Sequence, residues 1–201
     1  MSDPTANDDQ PEVRVMVVDG DVERSRNLRG ALTLAGYHVV AELKESLALP
    51  DAVQGLKPHI VIVAADSPDR DTLEHISVTT RNAPRPVVMF TQDGDSESIR
   101  AAVKAGVSAY VVDGLAPDRI RSILDVACAR FEAHQELASR LADMERQLAE
   151  RKNVEKAKGL LMKRRGMSED AAFKEMRNLA MQTGKTLGEV AETLIAASHL
   201  L

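Results

Sequence analysis

Between Ala116 and Arg165 the chain holds a single glycine, Gly159, and a single proline, Pro117, at a place that suits the first turn of a helix. A continuous helix over those residues would span roughly 75 Å, well beyond one domain diameter. It must therefore bury a stripe against something outside itself. Leu137, Leu141, Met144 and Leu148 recur at spacings of 4, 3 and 4, with charged residues around them, which is a heptad seam. Earlier in the segment, Ile120, Ile123, Leu124 and Ala127 are expected to pack on a sheet domain or on a twin. Two shorter helices folded back on the rest of the chain are the alternative. The seam favours a dimeric coiled coil, with residues 116–150 as the linker helix.

Upstream, short apolar runs alternate with amphipathic segments. Strands are expected at Val13–Val18, Val39–Glu42, Ile60–Ala64, Val87–Phe90 and Ala109–Val112. Helices are expected near Ser25–Ala35, Leu47–Gly55, Asp71–Asn82 and Ser96–Ala105, with Gly36, Pro58, Pro84, Pro86 and Gly106 as punctuation. That alternation predicts an α/β domain over residues 12–115, a five-stranded, doubly wound parallel sheet. Residues 1–11, "MSDPTANDDQP", are acidic and have no apolar core of a signal peptide, so they read as a disordered tail. No run approaches a membrane span, and a cytoplasmic protein is expected. Cys128 is the only cysteine, which rules out an internal disulfide and a multi-cysteine metal site.

Residues 151–201 predict a small all-α end. Ser168 can cap a helix whose first turn carries Glu169 and Asp170, and Gly184 can end it in a left-handed turn. Thr186 and Glu189 form a T-x-x-E capping box that opens the last helix. Ala172, Met176, Leu179 and Ala180 face Leu187, Val190, Ala191, Leu194 and Ile195, and Val154, Ala157 and Leu161 complete a three-helix core. Met162 and Phe173 read as packing residues, because that core has few large side chains. Charge is divided unevenly. Residues 1–116 hold 11 Lys/Arg against 18 Asp/Glu, whereas Arg151–Arg165 holds seven basic residues and one acid, Glu155.

The strand ends "VMVVDGD", "VVMFT" and "AYVVD" resemble a response-regulator receiver domain. The resemblance implies two adjacent metal-binding acids after the first strand, a phosphoacceptor aspartate ending the third, a hydroxyl ending the fourth and a lysine ending the fifth. Here Asp19 matches the first acid and Thr91 the hydroxyl. Gly20 takes the second acid's place with Asp21 one step late, Ala64 falls on the acceptor position, and Asp113 stands where the lysine belongs. Metal and lysine neutralise the anionic transition state of phosphoryl transfer. Without acceptor and lysine the domain is expected to be a pseudo-receiver, with Asp66 the one acid near enough to substitute. Asp19, Asp21 and Asp66 read as solvated loop acids rather than a metal site. No cofactor, bound metal or enzymatic activity is expected.

The segments Val154-Glu155-Lys156-Ala157-Lys158-Gly159-Leu160-Leu161-Met162, Gly166-Met167-Ser168-Glu169, Met176-Arg177-Asn178-Leu179-Ala180 and Val190-Ala191 resemble the ANTAR domain. Combined with the degenerate receiver, they resemble the NasT branch of the AmiR/NasR/NasT regulators. That resemblance implies transcription antitermination by a dimer that binds two hairpins in a leader RNA. It also implies control by a nitrate-sensor-type partner protein, without receiver phosphorylation, and no membrane or DNA partner. The candidate RNA contacts are Arg151, Lys152, Lys156, Lys158, Gly159, Lys163, Arg164, Arg165, Arg177 and Lys185, since hairpin phosphates are met by cations and splayed bases by planar side chains. Gly159 leaves bare backbone between basic rows, open to a ligand or a neighbouring helix. Two other readings are a phosphorylation-dependent DNA-binding regulator and a protein-binding adaptor without RNA binding.

Overall fold

The structure is a computed structural model that describes residues 12–113 and 118–198. The acidic tail read over residues 1–11 and the helix start read at Pro117 lie outside the described residues. Two compact units are present, Met1–His134 and Gln135–Leu201.

In the first unit five parallel strands, β1 (Arg14–Asp19), β2 (His38–Leu43), β3 (Ile60–Ala64), β4 (Val87–Thr91) and β5 (Ala109–Val112), lie in the order β2-β1-β3-β4-β5. Helices α1 (Val22–Leu34), α2 (Leu49–Leu56), α3 (Arg70–Asn82) and α4 (Ser96–Ala105) make the crossovers, with a 3₁₀ turn at Ser46–Ala48 before α2. This is the flavodoxin-like arrangement. The central strands β1, β3 and β4 are buried almost throughout because helices cover both faces, which is why they read as unbroken apolar runs. Strand alternation divides their side chains. Val15, Val17, Ile62 and Val88 pack with Leu28 and Leu32 of α1, while Met16, Val18, Val61 and Met89 pack with Leu49, Val53 and Ile76 of α2 and α3.

Helix α5 (Ile120–Arg165) is one unbroken element of 46 residues, so the alternative of two shorter helices is not what forms. Its first turns bring Ile120, Leu124 and Ala127 into the core on the α1 face, with Ile123 packed beside them. The expected contact with the sheet domain is therefore found.

The second unit is built from the rest of α5, α6 (Glu169–Thr183) and α7 (Leu187–Ser198). Ala157, Leu161, Ala172, Met176, Ala180, Val190 and Ala191 are its buried core, with Val154, Leu179, Leu187, Leu194 and Ile195 against it. The helix ends follow local chemistry. Ser168 Oγ accepts from Ala171 N at 3.3 Å, and Gly184 closes α6 at φ +64°. Thr186 N donates to Glu189 Oε2 at 2.7 Å while Glu189 N donates to Thr186 Oγ1 at 3.2 Å, the reciprocal capping box. One expectation for this core fails. Phe173 and Met162 lie outside it, 43 % and 36 % exposed, because small alanines at 157, 172, 180 and 191 let the helices close without them.

Candidate functional site

Parallel strands align their carboxyl ends along one edge of the first unit, and β1 is the strand at which the chain order reverses. There Asp19 sits in register with Ala64, and Ala64 with Phe90. The reading of Asp19 as a solvated loop acid fails: its side chain is wholly enclosed because an arginine folds over it. Arg24 Nε donates to Asp19 Oδ1 at 3.1 Å and Oδ2 at 3.0 Å, and Nη2 donates to Oδ1 at 2.8 Å. Its other arm, Nη1, donates to Asp66 Oδ1. One guanidinium thus ties together the acid ending β1 and the acid beyond β3. These contacts hold Arg24 above its ordinary pKa, the Asp19 hydrogen bond being the largest cause.

Local geometry explains the arrangement. Asp21 is the N-cap of α1, its Oδ1 accepting from Arg24 N at 2.8 Å, and that bond holds its carboxyl below the ordinary aspartate value. The helix therefore begins at Val22 rather than near Ser25, and the cap turns the Arg24 side chain back over Asp19. Thr91, buried at the end of β4, is also committed: its Oγ1 donates to Asp66 O at 2.9 Å and accepts from Asp93 N at 3.1 Å. Asp113 follows β5 exposed and in the left-handed region, φ +53°, with its N–H donating to Thr91 O. Gly20 is exposed beside the same cleft, and Lys44 reaches its wall from the end of β2.

The cationic surface of the second unit resolves into two groups. Lys152, Lys156 and Lys163 are exposed along one stripe of α5, and Gly159 completes the spacing. A Cβ built on Gly159 would meet nothing within 4 Å, so among the described residues no other helix uses the gap. Arg151, Arg177 and Lys185 are exposed as well. The remaining three are engaged within the unit. Lys158 Nζ donates to Glu155 Oε1 at 2.8 Å and Glu169 Oε1 at 2.7 Å, with its side chain 12 % exposed. Those acids raise the Lys158 pKa, and the lysine lowers that of Glu169. Arg164 Nη2 donates to Ser198 O at 2.8 Å, and Arg165 pairs with Glu175. On the same unit, Leu137, Leu141, Met144 and Leu148 form an apolar stripe with exposures from 57 % to 65 %.

Two families match the chain, the response regulator receiver domain over residues 15–125 and the ANTAR domain over residues 142–195. The chain is an ANTAR response regulator. It is 29 % identical to the transcriptional regulatory protein PdtaR of Mycobacterium tuberculosis over 97 % of this chain and 96 % of that protein. It is 38 % identical to the nitrate regulatory protein of Klebsiella oxytoca over 73 residues, 35 % of this chain and 18 % of that protein. In fold, the signal receiver domain of a modulated diguanylate cyclase from Desulfovibrio desulfuricans G20 superposes with a TM-score of 0.55 at 18 % identity, covering 62 % of this chain and 99 % of that one. The receiver domain of a NarL response regulator from Mycobacterium tuberculosis gives 0.53 at 19 %, covering 59 % and 98 %.

The regulator's cleft does not fit the divalent cation that a receiver fold implies. Gly20 supplies no ligand, the Asp21 carboxylate is spent as a helix cap, and a guanidinium lies between Asp19 and Asp66. Among the described residues no group of three metal-binding side chains converges. Sequence reasoning missed Arg24. The signal was there: acids gathered at an edge that lacks the lysine need another cation, and a residue at the third position after an Asp cap lies one turn away from the strand end. Among the described residues, no helix of the regulator is long and apolar enough to cross a membrane.

Proposed function

We propose that this ANTAR response regulator is a transcription antitermination factor that binds a pair of hairpins in a leader RNA through residues 151–201. The observation that carries the proposal is the exposed row Lys152, Lys156 and Lys163 around the bare backbone of Gly159. Three cations spaced along one helix stripe match a phosphate backbone, and a glycine between them lets that backbone come close. Arg151, Arg177 and Lys185 extend the surface. Lys158, Arg164 and Arg165 support it by holding α5 to α6 and α7.

The exposed seam at Leu137, Leu141, Met144 and Leu148 supports a homodimer, because a stripe repeating at 4, 3 and 4 is the surface that a second copy of the same helix buries. Two copies present two basic ends, one to each hairpin. The Arg24 bridge supports control without aspartyl phosphorylation, since the acceptor position is Ala64 and the acid two residues on, Asp66, already faces a cation. Control then falls to a partner protein that sequesters the receiver-like unit or the coiled coil until its effector binds. A nitrate-sensing partner is the reading taken from the ANTAR resemblance and from the Klebsiella oxytoca relative.

The test is binding of the purified dimer, without phosphodonor, to a two-hairpin leader RNA, a single hairpin and duplex DNA across a salt series. Tight, salt-sensitive binding confined to the paired hairpins is the expected result. Equal binding to DNA, or a requirement for phosphodonor, would overturn the proposal.

A further inference from the structure

We propose that the cleft between α6 and the turn into α7 captures one unstacked base of the RNA, with Phe173 as the stacking face. The inference rests on the RNA-binding reading above and gives it a base-contacting residue. Phe173 is the only Phe, Tyr or Trp from residue 135 to residue 201. A three-helix core this small gains most from its largest side chains, yet the ring is left 43 % exposed and outside the buried cluster.

Its surroundings are specific. Phe173, Arg177 and Met181 follow one another at spacings of four on α6, and with Ala180, Gly184, Lys185 and Leu187 they line an open cleft of about 500 Å³. The lining combines ring, thioether and aliphatic surface with two cations, and no acid is part of it. Among the described residues neither Arg177 nor Lys185 makes a close ion pair; Glu189, which accepts from the Thr186 N–H and hydroxyl, feels the Lys185 charge without contacting it. Gly184, at φ +64°, lets the chain turn there without a side chain over the opening.

A flat apolar face beside two unpaired cations suits a ligand that is itself a flat ring joined to an anion. A nucleotide is that ligand. Bases within a duplex are stacked on both faces, so only a loop base turned out of its hairpin can lie on Phe173, as unpaired bases lie on aromatic and guanidinium planes in RNA readers generally. Its 5′ or 3′ phosphate would meet Arg177 and Lys185. An apolar peptide, or the seam of a second copy, would cover the ring but bring no anion to Arg177 or Lys185.

The experiment uses the full chain and the two-hairpin RNA with 2-aminopurine placed at each loop position in turn. Wild type is expected to change the fluorescence at one loop position. F173A should abolish that change and weaken binding about tenfold or more, while F173W preserves both. The thermal transition of F173A should stay near that of wild type, because the ring contributes little to the core. R177A and K185A should each lower the salt dependence by about one phosphate contact. If wild type binds the RNA and F173A binds it equally well with the same fluorescence change, the base pocket is wrong and RNA recognition stands. If wild type binds no hairpin RNA, both readings fall. If F173A shifts the monomer–dimer equilibrium in sedimentation instead of RNA affinity, the occupant is a second copy and the base pocket is overturned.

Discussion

Arg24→Ala removes the cation that joins Asp19 to Asp66, and its cost can be worked from the geometry. Asp19 has no exposed side-chain surface and accepts from Arg24 Nε and Nη2; afterwards its one remaining donor is Asp21 N, at 2.9 Å. Breaking a fully buried ion pair costs about 3–5 kcal/mol, and breaking an exposed one about 0–1 kcal/mol. Arg24 is itself 26 % exposed, so water can partly re-solvate Asp19 from that side, and about 2–3 kcal/mol is expected. The Asp66 arm adds little, because that carboxylate is 77 % exposed. For a unit of this size 1 kcal/mol moves the midpoint by roughly 4 °C, so a fall of about 8–12 °C should be seen. Both tyrosines, Tyr37 and Tyr110, lie in the first unit, so tyrosine fluorescence follows its unfolding alone. Adding D19N to R24A should restore much of the loss, since no buried charge is then left unpaired. Millimolar Mg²⁺ should stabilise R24A and leave wild type unmoved, because only R24A frees Asp19 and Asp66 for a cation. An R24A cost below about 0.5 kcal/mol, strictly additive substitutions, or Mg²⁺ stabilisation of wild type equal to that of R24A would each refute the reasoning.

The other predictions concern the second unit. K156E and K163E should weaken hairpin binding and each reduce the salt slope by about one, with little change in thermal stability, whereas K158E should destabilise the unit by facing Glu155 and Glu169 with a third acid. G159A should raise helix stability by about 0.5–1 kcal/mol while lowering RNA affinity, a combination that filter binding and thermal melts can separate. L141R should leave the fold intact and shift sedimentation from dimer to monomer, with the preference for paired over single hairpins lost. In acid, hydrogen bonds from Thr186 hold Glu189 below its ordinary value near 4.5, and Lys158 does the same for Glu169. Both contributions are complete above that value and are lost as pH falls through the depressed ones. Helix content in the second unit should decline only below about pH 4.5, and E189Q should flatten that decline.

What the sequence made legible were features set by one or two elements. The strands β1, β3 and β4 stood out because a strand covered on both faces leaves an unbroken apolar run. The three-helix core and its caps stood out because a T-x-x-E box and a Ser before two acids act within one turn. Three features were hidden. Arg24 belongs to a helix that apolar patterning places three residues late, because Asp21 resembles a shifted metal ligand more than a cap. Lys158 looked like one more member of a basic run, since its partner Glu169 is eleven residues away across a turn. For Phe173, scarcity of large side chains is the only sequence argument for the core. Ala172, Met176, Leu179 and Ala180 already fix the buried stripe, and a residue one step on from Ala172 is rotated roughly 100° off it.

The two ends of the chain share a chemical logic. In the first unit a guanidinium occupies the space between two acids, so the cleft has its own cation and needs none from solution. In the second unit three of the nine candidate cations are likewise satisfied internally, by Glu155, Glu169, Glu175 and the carbonyl of Ser198. Among the described residues, what is left unsatisfied on that unit includes a lysine row around a bare glycine, an arginine and a lysine beside an exposed ring, and an apolar stripe at heptad spacing. Unpaired charge and uncovered apolar surface are what a folded chain gives up stability to keep, so they mark where partners act. On the proposed function, that distribution would put regulation in contacts with RNA, with a second copy and with a controlling protein. It leaves the cleft at Asp19 as a structural joint, in which replacing Arg24 should change stability and cation response and leave the RNA affinity of an intact dimer unchanged.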